Sequence, residues 1–532
     1  MQKKDTFDII IIGSGIGSLT VASLMAKVKK NKVLLLEQHS RIGGYTHSFS
    51  RKGFTWDTGL HYIGDIFDGK LTGLVFNFIS GGKLHWYKTP DPFEHFVYPD
   101  FTFRMHGDEK RFRNDLLALY PEETKAIRRY FLHIKIAVLW FVVYFLCQCL
   151  PAIFRLPLSL VTAISGKLAL MTTGAYLDRY FKSPELKSLL TSQWGNYGLT
   201  PSRSSFMIHG LIVNHFMQGG YYPEGGAGEI ARRILPAVTA NGGQYLVNRT
   251  VTSLIIENGK AAGVEVVTSG RDGSTPERYY APVIVSGAGA YNTFTRLVPE
   301  GIPLPFMEKC AGINTPTSCV ALYIGFKDDI RKLGFTEANY WFYGSYNHED
   351  NSSNHTLLEG KKPASCFLSF TPPDRETGQV TTATVIAFAE FRSFTSWNHQ
   401  KTGKRDKEYY SLKKRISKGL IDFLEERHPG FSAMIGYHEL GTPLSAQEFT
   451  ASHEGGMYGL PATPQRYRQK WLTAKTPVKG LYLTGSDITS LGVVPSMLSG
   501  LVTASQLCGP LGFFRLVGYM RRKGGVPKRP AA

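Results

Sequence analysis

Cysteine is scarce and scattered: six in 532 residues, at positions 147, 149, 310, 319, 366 and 508, with no C-x-x-C pair. That spacing excludes a zinc ribbon and a thioredoxin-like motif, offers no metal site, and predicts free thiols in a reducing compartment. Acidic residues are also few, 42 against 61 lysines and arginines, for a formal charge of +19, and none follows Asp487. A chain this basic meets nucleic acid, an anionic membrane or acidic ligands. Zinc-finger, helix-turn-helix and RNP patterns are missing, so no nucleic acid partner is expected. The first motif starts at Phe7, which leaves no room for a signal or transit peptide, and none is expected. Long apolar runs are limited to one, IAVLWFVVYFLCQCLPAIF (136–154).

Glycine is not scarce, and its placement carries chemistry. In FDIIIIGSGIGSLT (7–20) an apolar strand runs into Gly13, Gly15 and Gly17, and Leu19 to Val28 resumes with helical spacing. This is nearly the dinucleotide fingerprint, with Ser18 in place of the third glycine, a position that needs only a small side chain. KVLLL (32–36) is a second strand, and Glu37 stands at its end to accept hydrogen bonds from a ribose, followed by Gln38. The helix behind the glycines turns its positive end to a pyrophosphate, with Ser14 in the turn.

A nicotinamide unit would continue with another helix and strand. Here Arg41, Gly43 and Gly44 form a second glycine turn, with Ser48 behind it and Gly53, Asp57 and Gly59 after it. This resembles the R-x-G-G-R-x-x-S/T signature of FAD-dependent amine oxidases and phytoene desaturases, with Tyr45 in place of the second arginine. The cofactor expected is FAD. Later segments are expected to close its site. GGAGEIARRILPAVTANGG (225–243) reads as a turn, a helix and a C-terminal turn; two strands within 245–267 place Val251 beside the adenine; Gly287 and Gly289 run along the diphosphate. In KGLYLTGSDITSLGVVPSMLSGLVTAS (479–505), Gly485 turns the chain and Asp487 suits the ribityl or diphosphate end. A helix starting near Pro495 aims its positive end, with Val494 and Met497, at the flavin pyrimidine.

Resemblance now covers nearly the whole chain. LEQHSRIGG (36–44), FTWDTGLHYIG (54–64), MIHGLIVNHFMQGGYYPEGGAGEIA (207–231), GTPLSAQEF (441–449) and GLYLTGSDI (480–488) have ordered counterparts in the retinol saturase and carotenoid isomerase branch of the phytoene desaturase superfamily. The resemblance implies an α/β fold: an interleaved FAD-binding Rossmann-like domain (1–66, 225–296 and 471–510) plus a mixed-sheet substrate domain (67–224 and 297–470) carrying a membrane-associated helical segment. Residues 511–532 form a basic tail. It implies an FAD-dependent oxidoreductase acting on a C=C bond of a long polyene lipid, by saturating an all-trans-retinol-like retinoid. The alternatives are carotenoid isomerisation or desaturation on the same scaffold, and, in another class, an FAD-holding lipid escort. A reductase needs an external electron donor, since no separate nicotinamide domain is present. Candidate proton donors are His209, His215 and Glu224, with Tyr221 and Tyr222 nearby; His61 adjoins the first FAD segment.

The 136–154 run falls just short of the ~20 apolar residues that span a bilayer, is interrupted by Gln148 and Pro151, and is flanked by cations at both ends. It therefore reads as a monotopic patch or re-entrant pair, continued by LPLSLVTAISG (156–166), with LGFFRLVGYMRRK (511–523) as a basic interfacial anchor. The expected location is a membrane surface with the FAD domain on the cytoplasmic side: endoplasmic reticulum in an animal, inner membrane in a bacterium.

Overall fold

The computed structural model describes residues 6–66, 69–268, 276–374 and 376–524. Three separated stretches of chain build one sheet of five parallel strands, in the order Leu481–Leu483, Val283–Ser286, Ile9–Ile12, Val33–Leu36, Gln244–Leu246. The two strands nearest the N-terminus are wholly apolar and buried, as strands covered on both faces must be. Helix Ile16–Lys29 covers one face, with Val493–Leu507 and Gly228–Thr239 packed beside it. A three-stranded antiparallel sheet stands beside this layer. Its tight hairpin, Glu257 paired with Lys260 across Asn258 (φ 50°) and Gly259 (φ 72°), has the positive-φ pair that a two-residue turn demands.

The second body is a seven-stranded mixed sheet, in the order Ile435–Gly441, Cys319–Phe326, Thr382–Phe388, Ser365–Phe370, Asn339–Tyr343, Glu94–Val97, Thr102–Met105. Only the Asn339–Tyr343 and Glu94–Val97 pair runs parallel. A small hairpin, Ser48–Arg51 with Phe54–Asp57, ties the two bodies together: the Trp56 indole N–H donates to the Ile324 carbonyl at 2.9 Å.

The apolar run is not one rod. Helix Thr124–Cys149 stops where Pro151 removes a backbone donor, and Ala152–Ala169 starts afresh. The first helix is half core: Tyr130, Ile134 and Ala137 are buried, and Gly210 on helix Phe206–His215 lets the two backbones approach, since a Cβ there would lie 3.1 Å from that of Ala137. The second helix buries only Ala169 and leaves Ile153 at 80%, Leu156 at 77% and Ile164 at 67% exposure. The stretch Pro121–Cys149 and helix Ala152–Ala169 are each long and apolar enough to cross a membrane. Helix Gly512–Lys523 packs Phe513 edge-on against Phe145 and leaves Phe514 exposed beside them. Of the basic C-terminal residues, Lys528 and Arg529 lie outside the described residues.

Candidate functional site: a glycine-cradled cavity between the two sheets

A cavity of about 1210 Å³ runs along the C-terminal edge of the parallel sheet and under the mixed sheet. Gly13 (φ 81°) ends the first strand and releases the chain into the helix N-terminus, where Gly15 and Gly17 line the cavity. At Gly17 a Cβ would stand 2.9 Å from both the Gly485 nitrogen and the Ser496 carbonyl oxygen, so only glycine allows two backbone segments this close. Ser18 in the third-glycine place is matched across the interface by Gly287, where a Cβ would meet the Ser18 hydroxyl at 2.1 Å.

Glu37, 7% exposed, lines the cavity while its carboxylate organises the turns around it. The Ser14 backbone N–H and hydroxyl donate to Oε2 at 2.9 and 2.5 Å, and the His39 N–H donates to Oε1 at 2.8 Å. The Ser14 hydroxyl in turn accepts from the Gly43 N–H at 2.9 Å, which docks the second glycine turn onto the first. Gly44 (φ 56°) lies against Gly15, where a Cβ would stand 3.2 Å from the Gly15 Cα, and Gly43 (φ 128°) takes a backbone conformation that side chains disfavour. Arg41 donates to the Ser48 carbonyl at 2.8 Å; Gln38 and Val251 complete this end of the cavity. Tyr45, in the place of the signature's second arginine, is half-buried and donates to the Gly456 carbonyl at 3.1 Å.

On the far wall, Asp487 is 4% exposed and accepts from the Ala290 N–H at 2.7 Å and the Leu460 N–H at 2.8 Å. It thereby fixes the Gly287–Gly289 turn and the Tyr458–Leu460 loop around one carboxylate. Helix Val493–Leu507 starts at the cavity with Gly492, Val493 and Ser496 on its lining. Here the expectation for Val494 and Met497 needs correcting. One step around the helix turns both into the Rossmann core, at 5% and 0% exposure, and neither side chain lines the cavity.

The expected proton donors also lie elsewhere. His209 is a core residue whose Nε2 shares a hydrogen bond with the Tyr130 hydroxyl at 2.8 Å. His215 accepts the Gly64 backbone N–H at 2.7 Å and holds that loop in place. Glu224 follows strand Tyr221–Pro223, and its N–H donates to the His85 carbonyl at 3.0 Å. None of the three lines the cavity. Burial holds the imidazole of His209 neutral down to about pH 3 and that of His215 to about pH 4.

His61 is the histidine the fold brings in. It lines the main cavity and also a small aromatic chamber that adjoins it, walled by Trp194, Asn196, Trp341, Phe367 and Tyr458. Its ring meets Phe367 edge-on at 5.3 Å, its Nε2 is buried without a hydrogen-bond partner, and burial lowers its pKa to about 4. Behind the chamber sits Glu94, fully buried, a residue that nothing in the sequence marks out. It accepts from Tyr62, from the Trp341 indole at 3.0 Å and from Gln193 at 2.6 Å, and burial raises its pKa to about 7. Its neighbours come from three distant segments, so only the fold could reveal it.

Residues 11–75 match the model of the NAD(P)-binding Rossmann-like domain. The chain is 31% identical over 530 residues to the all-trans-retinol 13,14-reductase of Danio rerio, covering 95% of this chain and 86% of that one. It is 26% identical to prolycopene isomerase 2, chloroplastic, of an Oncidium hybrid cultivar, over 98% of this chain and 89% of that one. Among solved structures, the cyclohexylamine oxidase of Brevibacterium oxydans superposes with a TM-score of 0.58 at 16% identity, covering 97% of this chain and all of that one, a likeness of fold.

Proposed function

The chain belongs to the family of the all-trans-retinol 13,14-reductases, and from that premise we propose that it is an FAD-dependent oxidoreductase that saturates a C=C bond of a retinol-like polyene. The carrying observation is the cavity itself, in which one glycine-cradled wall suits a dinucleotide and His61 stands where that wall meets an aromatic chamber.

The residues fit FAD. Gly15 leaves open space where a Cβ would stand, Gly17 allows the close backbone packing that shapes the cradle, Glu37 suits the ribose, and the two helix N-termini at Gly15 and Gly492 favour anionic groups. When bound, FAD supplies hydride chemistry at its N5. The chain supplies the rest. Trp341, Phe367 and Tyr458 present flat faces to a planar polyene and exclude water. A saturated C=C bond also gains a proton, and the neutral His61 imidazole, which lines the chamber with Tyr458 and Tyr343, is the group we assign to hold one at Nε2 or to orient its donor. A lipid substrate comes from a bilayer. The apolar face of Ala152–Ala169 with Phe514, edged by Arg155, Lys167, Arg521 and Arg522, suits a membrane surface on which the protein rests.

The test uses detergent-purified, flavin-loaded protein under anaerobic conditions, reduced with dithionite and given all-trans-retinol or a cis-carotene. Retinol that reoxidises the flavin and yields a dihydro product supports the reading. A cis-carotene that isomerises while the flavin stays reduced assigns the chain to isomerase chemistry instead.

A further inference from the structure

The glycine wall uses one side of the main cavity. Across it lie Arg405, Tyr409 and Lys413, at and beyond the start of helix Lys407–Arg427. Tyr409 and Lys413, four residues apart on the helix, share one face, and Arg405 stands just before it. Tyr409 is buried, its hydroxyl hydrogen-bonded to that of Thr442 at 2.8 Å. The Arg405 guanidinium lies 4.9 Å from the Tyr409 ring centre and the Lys413 ammonium 5.8 Å from it. Two cations are thus held around one ring.

Their compensation is partial. The Arg405 side chain is only 5% exposed; its Nη2 reaches Glu448 at 3.3 Å, and its buried Nε has no hydrogen-bond partner. Glu448 itself is 41% exposed at the rim. Among the described residues, no carboxylate is within ion-pair distance of Lys413; Glu439, the nearer acid, accepts from the Tyr437 hydroxyl at 3.0 Å. Burial lowers the Lys413 pKa; the Glu439 charge on the same cavity wall offsets part of this, and the Arg405 charge lowers it further. Desolvated like charges are costly unless an anion joins them. The same cavity also has apolar lining, from Phe49, Ala321, Ile386 and Leu440.

We propose that this lobe binds the carboxylate of an acid-ended polyene, with Arg405 and Lys413 as its counter-charges and the hydrocarbon tail along Phe49, Ala321, Ile386 and Leu440. The assignment rests on the polyene reading above and narrows it to amphiphilic substrates or products. A planar carboxylate suits the fork of a guanidinium, and among the described residues the buried Nε of Arg405 has no acceptor of its own.

Equilibrium binding to the flavin-loaded full chain tests it, with all-trans-retinoate and all-trans-retinol as probes, followed by tryptophan quenching at low and high salt. Retinoate is expected to bind at least 10-fold tighter than retinol at low salt, with the margin shrinking at high salt. Lys413→Gln should remove most of that margin and Lys413→Arg restore it, the flavin absorbance reporting that each variant is folded. Equal affinity for the two probes overturns the proposal, as does a Lys413→Gln variant that weakens both alike. Competition by inorganic pyrophosphate without retinoate binding also overturns it, and marks the lobe as a phosphate site. Retinol turnover without a retinoate preference defeats this proposal alone; a retinoate preference without C=C chemistry defeats the proposed reaction and leaves the lobe standing.

Discussion

At Gly17 the space for a methyl group is already taken by the backbones of Gly485 and Ser496, both 2.9 Å from where a Cβ would sit. Gly17→Ala must therefore push two segments of the cradle apart, at a cost of about 1–3 kcal/mol. The expected outcome is a lower Tm together with a reduced ratio of flavin to protein absorbance after purification. His61 makes a different prediction. Its pKa of about 4 leaves the ring neutral throughout the usual assay range, so kcat should show no histidine-like inflection between about pH 5.5 and 8. His61→Phe keeps the aromatic wall but loses the nitrogen. A fall in kcat of about 100-fold, with flavin loading intact, is expected if the ring carries or orients a proton; an unchanged kcat removes it from the chemistry. Buried histidines and Glu94 pull stability in opposite directions. The folded-state pKa values of His209, His215 and His348 lie near 3, 4 and 4, so the stability they contribute is present above about 6.5 and lost as the pH falls toward those values. Glu94 is raised to about 7, so its contribution is complete below its unfolded pKa and lost as the pH rises through 7. The Tm of Glu94→Gln should accordingly gain on that of the parent between pH 6 and pH 8, which a thermal melt series measures.

Among the elements, the helix pair Thr124–Cys149 and Ala152–Ala169 has an unusual division of labour. Tyr130, Ile134 and Ala137 of the first pack into the domain core, and the Trp140 indole donates to the Thr162 carbonyl at 3.1 Å to hold the second helix outside. The second then presents Leu156, Leu160 and Ile164 outward, a patch larger than isolated surface leucines would make. Partial burial of each in a bilayer interface is worth about 1 kcal/mol. Replacing all three by serine should weaken co-sedimentation with anionic vesicles by roughly 100-fold while the visible flavin spectrum is retained. Binding that persists at full strength would place the membrane contact elsewhere. Helix Gly512–Lys523 completes this edge: Phe513 and Leu516 face inward, and Arg521, Arg522 and Lys523 gather at its C-terminus, where cations complement the helix dipole.

For the molecule as a whole, the two sheets meet so that the glycine-cradled cavity and the small aromatic chamber beside it share His61, Ile386, Met457 and Tyr458. The proposed oxidoreductase uses both cavities, whereas a lipid escort needs only one of them. An escort should keep retinoid binding after Gly15→Val, whereas the proposed enzyme loses flavin and turnover together; absorbance and product analysis on the same preparation decide between them.

How much of this was legible from the chain alone depends on the reach of each interaction. Gly13, Gly15, Gly17, Glu37, Gly43 and Gly44 lie within 32 residues of one another, and local rules for strand ends, helix starts and positive-φ turns place them without help. The Asn258-Gly259 turn and the Val493–Leu507 helix were legible for the same reason. Which face of that helix reaches the cavity was not, because Val494 and Met497 differ from Val493 and Ser496 only by one step of rotation, and packing against the parallel sheet selects the step. His209 and His215 sit in a stretch that resembles the family, yet they bind Tyr130 and Gly64, partners 79 and 151 residues away. Glu94 gathers donors from segments as distant as 247 residues, and Arg405 and Lys413 acquire their meaning only when the mixed sheet carries them across the cavity from Gly13. By itself, then, the sequence determined a dinucleotide cradle, a long apolar run and the family, since these rest on neighbours along the chain; only the tertiary structure decided which titratable groups line the cavity, since burial and partnership arise where distant segments meet.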